Sequence, residues 1–197
     1  MDIDYSELSS LDTIRYRPLT REDFKGTKPP EVFAAVADRL GAATCAHLIL
    51  PPAKLLITNQ PSATGEASYE VIVETLEFYA EMDRSCSWWN QNFVGLREDY
   101  VLQHEQIHFA IFEVEARRLN AEVPAFKKQI RSTASSSKEA QALAQQKLNA
   151  ILEDAIAVVM QRSRDFDADT SLGYQPEKQK QWFTRVHEEL AEHAPAR

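Results

Sequence analysis

VLQHEQIHFAIFEVEARRLN, residues Val101 to Asn120, is the stretch that organises this chain. Val101, His104, His108, Ile111, Phe112 and Glu115 fall on one helical stripe, which Ile107 and Val114 widen. The helix is expected to start near Leu96. Glu98 and Asp99 suit its positive end, and Arg117 and Arg118 its negative end. Within it, His104, Glu105 and His108 spell H-E-x-x-H. Residues four apart stack on one helical face, so both imidazoles can address one ion. Glu105 sits about 100° round from His104, within reach of a water on that ion without being a ligand. A zinc hydrolase needs that set: two histidines on the metal, a carboxylate to take a proton from its water, and a third protein ligand from elsewhere. The competing reading makes His104 and His108 partly buried helix residues and puts Glu105 on a solvated face.

The 197 residues suffice for one domain with a substantial core, and residues 1–197 are read as a single domain. Hydrophobic residues at 44% and charged residues at 26% are ordinary for a soluble globular protein. A net charge of −8 offers no basic face to displace counterions, which argues against a nucleic-acid partner. No apolar run is long enough for a membrane span. The start, MDIDYSELSS, is acidic and polar and does not resemble a signal peptide. Localisation is therefore cytoplasmic, or periplasmic or secreted if a signal has been removed. Cys45 and Cys86 leave a disulfide and two buried free thiols equally open.

Ahead of the motif the chain reads as mostly extended. Leu11 to Leu19 alternates in part and suggests a first strand, followed by a turn-rich connection to Pro30. Glu31 to Leu40 suggests a short helix stopped by Gly41. Ala42 to Thr58 is extended around Pro51-Pro52, with His47 as a core residue, and Asn59 to Glu66 is a turn by composition. Ser68 to Met82 alternates clearly, with a phase slip expected near Thr75. Trp88 and Trp89 close the core beneath a turn or floor a cleft.

Beyond the motif the chain reads as helical. Pro124 is expected to end the motif helix, with a shorter helix after it and a Ser-rich turn at Ser132 to Ser137. Lys138 to Arg164 reads as a long amphipathic helix on Ala144, Leu148, Ile151, Ala155 and Val158. Asp165 to Gln175 reads as an acidic loop, and Pro176 opens a last helix whose His187 and His193 are solvated. The fold class is thus α+β, with a small antiparallel sheet in the first half packed on a helical second half. For the third ligand, Glu153, Asp154, Asp165, Asp167 and Asp169 compete. Asp-x-Asp-x-Asp starts like a calcium loop but lacks its later glycine and glutamate.

Taken together, the residues resemble the DUF922 family, bacterial proteins predicted to be zinc-dependent proteases and often exported. The matching pieces are DFKG at Asp23 to Gly26, Ser87-Trp88, HEQIHF at His104 to Phe109, and FDADT…Q…W between Phe166 and Trp182. The resemblance implies a zincin-like fold, zinc as cofactor and a peptide or protein substrate. In the family the late block runs Y-D-x-x-T-x-H. Here Asp167 and Thr170 match, Phe166 replaces the tyrosine, and Leu172 stands where the histidine would be. Ala110 replaces an acidic residue that frequently follows HF. Asp167 is the carboxylate inside the matching block and becomes the expected third ligand.

Two functional expectations follow. In the first the chain is a zinc metallopeptidase, with His104, His108 and Asp167 on zinc, Glu105 as general base and Tyr174 donating to the oxyanion. In the second, motivated by Leu172, it is a catalytically silent metal-binding or structural protein that keeps the fold.

Overall fold

The computed structural model describes residues 12–61, 67–93 and 95–194. Expectations for the first residues, the tip of the turn at 62–66 and the last residues, 195–197, lie outside those described. The chain is mixed α+β. Short strands fill the first half: β1 (Thr13–Arg15), β2 (Ala42–Ala43), β3 (Ala46–Ile49), β4 (Lys54–Pro61), β5 (Ala67–Thr75), β6 (Tyr79–Asp83) and β7 (Trp88–Trp89). Three helices dominate the rest: α1 (Glu98–Ile130), α2 (Ser137–Thr170) and α3 (Pro176–Glu192), with β8 (Ser132–Ala134) between the first two.

Among the described residues the strands form three small antiparallel sheets where one was expected, in the orders β1-β6-β3, β2-β7 and β4-β5-β8. The alternation from Ser68 to Met82 divides at Leu76 to Phe78, so β5 and β6 join different sheets. Asn120 of α1 holds the break. Its side-chain amide donates to the Phe78 carbonyl at 2.7 Å and accepts from the Phe78 N–H at 2.9 Å. The backbone groups that leave the ladder are thereby satisfied. Glu31–Arg39 is 3-10 helix, not α-helix, and none of its residues is fully buried. His47 is exposed on β3, not a core residue.

α1 runs for 33 residues straight through Pro124. A proline there removes one backbone hydrogen bond. Packing on both sides of it compensates: Leu119 and Ile130 are buried, and Phe126 meets Phe78 edge to face. α1 packs against α2, α3, β3, β5 and β6, and Ile107, Phe109, Ala110 and Ile111 are completely buried. The Ser-rich turn contains β8, which completes the third sheet, and then Ser136 accepts from the Glu139 N–H to cap α2.

α2 extends six residues beyond the expected end, so the acidic segment Asp165 to Thr170 is helix and not loop. Phe166 and Thr170 continue the buried stripe through Val159, whereas Val158 is exposed. Ser171 and Leu172 then take left-handed conformations, followed by Gly173 at φ 90°. Among the described residues no helix is long and apolar enough to cross a membrane. Cys45 and Cys86 form a disulfide with their Cα atoms 5.8 Å apart, which resolves the two alternatives in favour of the bridge.

Candidate metal centre

α1 and α2 lie antiparallel where they meet at the motif. His104 and His108 sit one turn apart on α1; Ser163 and Asp167 sit one turn apart on α2, and the pairs face each other. Asp167 Oδ1 lies 3.3 Å from His104 Nε2 and 3.1 Å from His108 Nε2. Among the described residues these three side chains form a group able to hold a metal ion. Two donors about 2.05 Å from a tetrahedral ion stand about 3.3 Å apart, so the spacing fits.

The outer nitrogens of both rings are committed. His108 Nδ1 is 2.7 Å from Ser163 Oγ, and His104 Nδ1 is 3.1 Å from Gln179 Oε1. Gln179, on α3, donates through its NH2 group to the Tyr100 carbonyl and to Gln103 Oε1. Its carbonyl oxygen is therefore the atom turned towards His104, and it must accept. That places the His104 proton on Nδ1 and leaves the Nε2 lone pair facing a carboxylate oxygen. Two lone pairs cannot face each other at this distance without a cation between them. At His108 a proton fills that role in the metal-free protein. Burial works against a charged His108, but the Asp167 charge outweighs it and holds the ring above its ordinary value. Burial likewise works to raise Asp167; the charge of His108 and hydrogen bonds from both rings hold it well below the usual carboxylate range.

Glu105 is 3% exposed, and its Oε2 has no hydrogen-bond partner among the described residues. It lines a cavity of about 330 Å³ together with His104, His108, Asp167 and Leu172. Phe166 fixes the rings from behind, stacked on His104 at 4.4 Å and edge-on to His108 at 4.9 Å.

The other candidates for the third ligand are turned elsewhere. Glu153 and Asp154 are exposed. Asp165 accepts from Gln161, and Asp169 accepts from Trp182 Nε1. Tyr174 donates its hydroxyl to the Arg39 carbonyl and does not line the cavity, so the geometry gives no support to it as an oxyanion donor. The geometry adds Ser163 and Gln179, to which the sequence alone assigns no role. Ser163, four residues before Asp167, carries the only sequence trace of its place: the spacing that mirrors His104 and His108.

No protein-family model, curated protein or solved structure matches the chain.

Proposed function

We propose that the chain is a zinc-dependent metallopeptidase with a zincin-like arrangement, akin to the DUF922 proteins that its motifs resemble. One observation carries the reading. Two imidazole Nε2 atoms, with their outer nitrogens already engaged, converge on one carboxylate oxygen beside a buried glutamate that has an unpartnered oxygen. Two nitrogens and one carboxylate suit zinc, and three protein ligands leave a position open for chemistry. When bound, zinc would supply Lewis acidity, polarising the scissile carbonyl and lowering the pKa of a water.

The remaining work falls to the protein. Gln179 holds His104 in the ligating tautomer, and Ser163 orients the His108 ring. Glu105 is the general base: it accepts the proton of the attacking water and delivers it to the leaving amine. The apolar cavity around it excludes bulk water and strengthens each polar contact inside.

The experiment is cleavage of a mixed peptide library by the zinc-loaded protein and by Glu105→Gln. The expected result is cleavage by the first and a loss of about a thousandfold or more in the second, with zinc retained. Equal cleavage by both removes Glu105 from the mechanism. A second reading, a catalytically silent metal-binding protein, is favoured by one observation: Leu172 presents an apolar side chain to the cavity at the position of the family histidine. Zinc bound with no cleavage of any library member supports that reading instead.

A further inference from the structure

The cavity beside His104 and His108 has more composition than a metal site needs. Val32, Phe33, Leu40, Phe112, Met160 and Leu172 contribute apolar wall. Val32 is 84% exposed and Met160 is 44% exposed, an arrangement that core packing does not require. Among the described residues its only acidic groups are Glu105 and Asp167, and no lysine or arginine lines it. Apart from His47 and the histidines of the metal site, a carboxylate entering here meets no cationic side chain among the described residues and faces two acidic ones.

A second observation is independent of the apolar wall. Five buried side-chain polar atoms lack a hydrogen-bond partner among the described residues, and three of them belong to residues on this wall: Thr44 Oγ1, Tyr100 Oη and Glu105 Oε2. Buried polar atoms are nearly always satisfied, so their gathering at one cavity marks a wall whose missing partners are supplied by water or by a ligand. The chain from Gly41 to His47 also runs along the cavity. It includes β2 and β3, each at the edge of its sheet among the described residues, the kind of edge that an extended chain can join.

We propose that this cavity takes an uncharged internal stretch of polypeptide. An apolar side chain seats among Val32, Phe33, Phe112, Met160 and Leu172, and the hydroxyls of Thr44 and Tyr100 meet the peptide backbone. The assignment rests on the reading of the site as a peptidase and gives it a substrate class: apolar positions within a chain, away from a free carboxylate.

The test is calorimetric binding to full-length Glu105→Gln, with and without one equivalent of zinc. The probes are three acetylated, amidated hexapeptides that differ only in a central Leu, Asp or Lys. The Leu peptide is expected to bind tightest by roughly tenfold, in both metal states, because the walls set the ranking. Met160→Lys in the same background should remove that advantage, and its half-exposed position leaves the melting temperature near that of the parent. Tyr100→Phe should weaken the Leu peptide roughly fivefold, about one hydrogen bond. Equal affinities, tighter binding of a charged peptide, or no binding of any of the three overturns the assignment. An unchanged affinity in Tyr100→Phe overturns the hydroxyl contact. Peptide cleavage by the unmutated, zinc-loaded protein is scored separately. Cleavage without the apolar ranking sinks this inference alone, and the ranking without cleavage sinks the peptidase reading alone.

Discussion

His104 Nδ1 stands 3.1 Å from Gln179 Oε1, and this contact between α1 and α3 decides which ring nitrogen faces Asp167. Gln179 can turn no other atom to the ring, because its NH2 group is held by the Tyr100 carbonyl and Gln103 Oε1. The last helix thereby selects the tautomer of a residue seventy-five positions earlier.

Gln179→Leu, close in volume and unable to accept, is expected to lower zinc affinity by roughly 10–100-fold. Competition with a chromophoric chelator measures it. Ser163→Ala should act in the same direction through His108. Unchanged affinity in both variants would show that the outer contacts do not orient the rings.

Zinc binding must displace the proton that His108 holds above its ordinary value beside Asp167. Affinity should therefore fall about tenfold per pH unit on the acid side of that raised value, and still depend on pH above about 6.5. The metal-free protein runs the opposite way. His108 stabilises the fold fully below about 6.5, and that contribution is lost as pH rises through its raised folded value. Titrations in buffers of different ionisation enthalpy count the released proton. Metal affinity flat from pH 6 to 8 would contradict the convergence on Asp167.

Cys45 lies on the cavity wall, and its bond to Cys86 ties that wall to the turn after β6. Closing a loop over a separation of 41 residues is worth about 4 kcal/mol in the chain-entropy model. The double variant Cys45→Ser, Cys86→Ser should lose a large part of that in chemical denaturation, and reductant should lower the melting point of the unmutated protein only. A reductant-insensitive melting point would show that the bridge is not made in solution.

Asp23, buried in the DFKG segment, accepts two hydrogen bonds from Arg17 and one from the Thr20 N–H. Burial works to raise its pKa, and the Arg17 guanidinium outweighs that and keeps the carboxyl low. Its stabilisation is present above about 3.9 and is lost as pH falls through the folded value. Asp23→Asn should cost about 3 kcal/mol near neutral pH and flatten the acid limb of the stability curve. A variant as acid-sensitive as the parent would remove Asp23 from this role.

Much of this architecture is legible in the sequence, and the places where it is not have physical causes. Helical periodicity reveals α1 because its stripe is strong, and H-E-x-x-H brings its own geometry. The mixed α+β class follows from alternation before the motif and 3.6-residue periodicity after it. Pro124 misleads because tertiary contacts of Leu119, Phe126 and Ile130 override a local breaker. Asp165 to Thr170 misleads for the reverse reason: aspartates are poor helix formers, yet buried Phe166 and Thr170 hold the last turns of α2. Asp167 was reachable only through the resemblance, since nothing local separates it from Asp165 and Asp169. Which aspartate faces inward is set by the antiparallel register of α1 and α2, a long-range property. Gln179 lies further still from local pattern, because its role depends on how α3 docks.

The central claim is that His104, His108 and Asp167 hold one metal ion between α1 and α2. Zinc titration of the metal-free protein, run in parallel with Asp167→Ala, tests it most directly. The account predicts one zinc per chain in the unmutated protein and an affinity at least about a hundredfold weaker in the variant. No binding under excess zinc, or equal affinity in the two proteins, would contradict it.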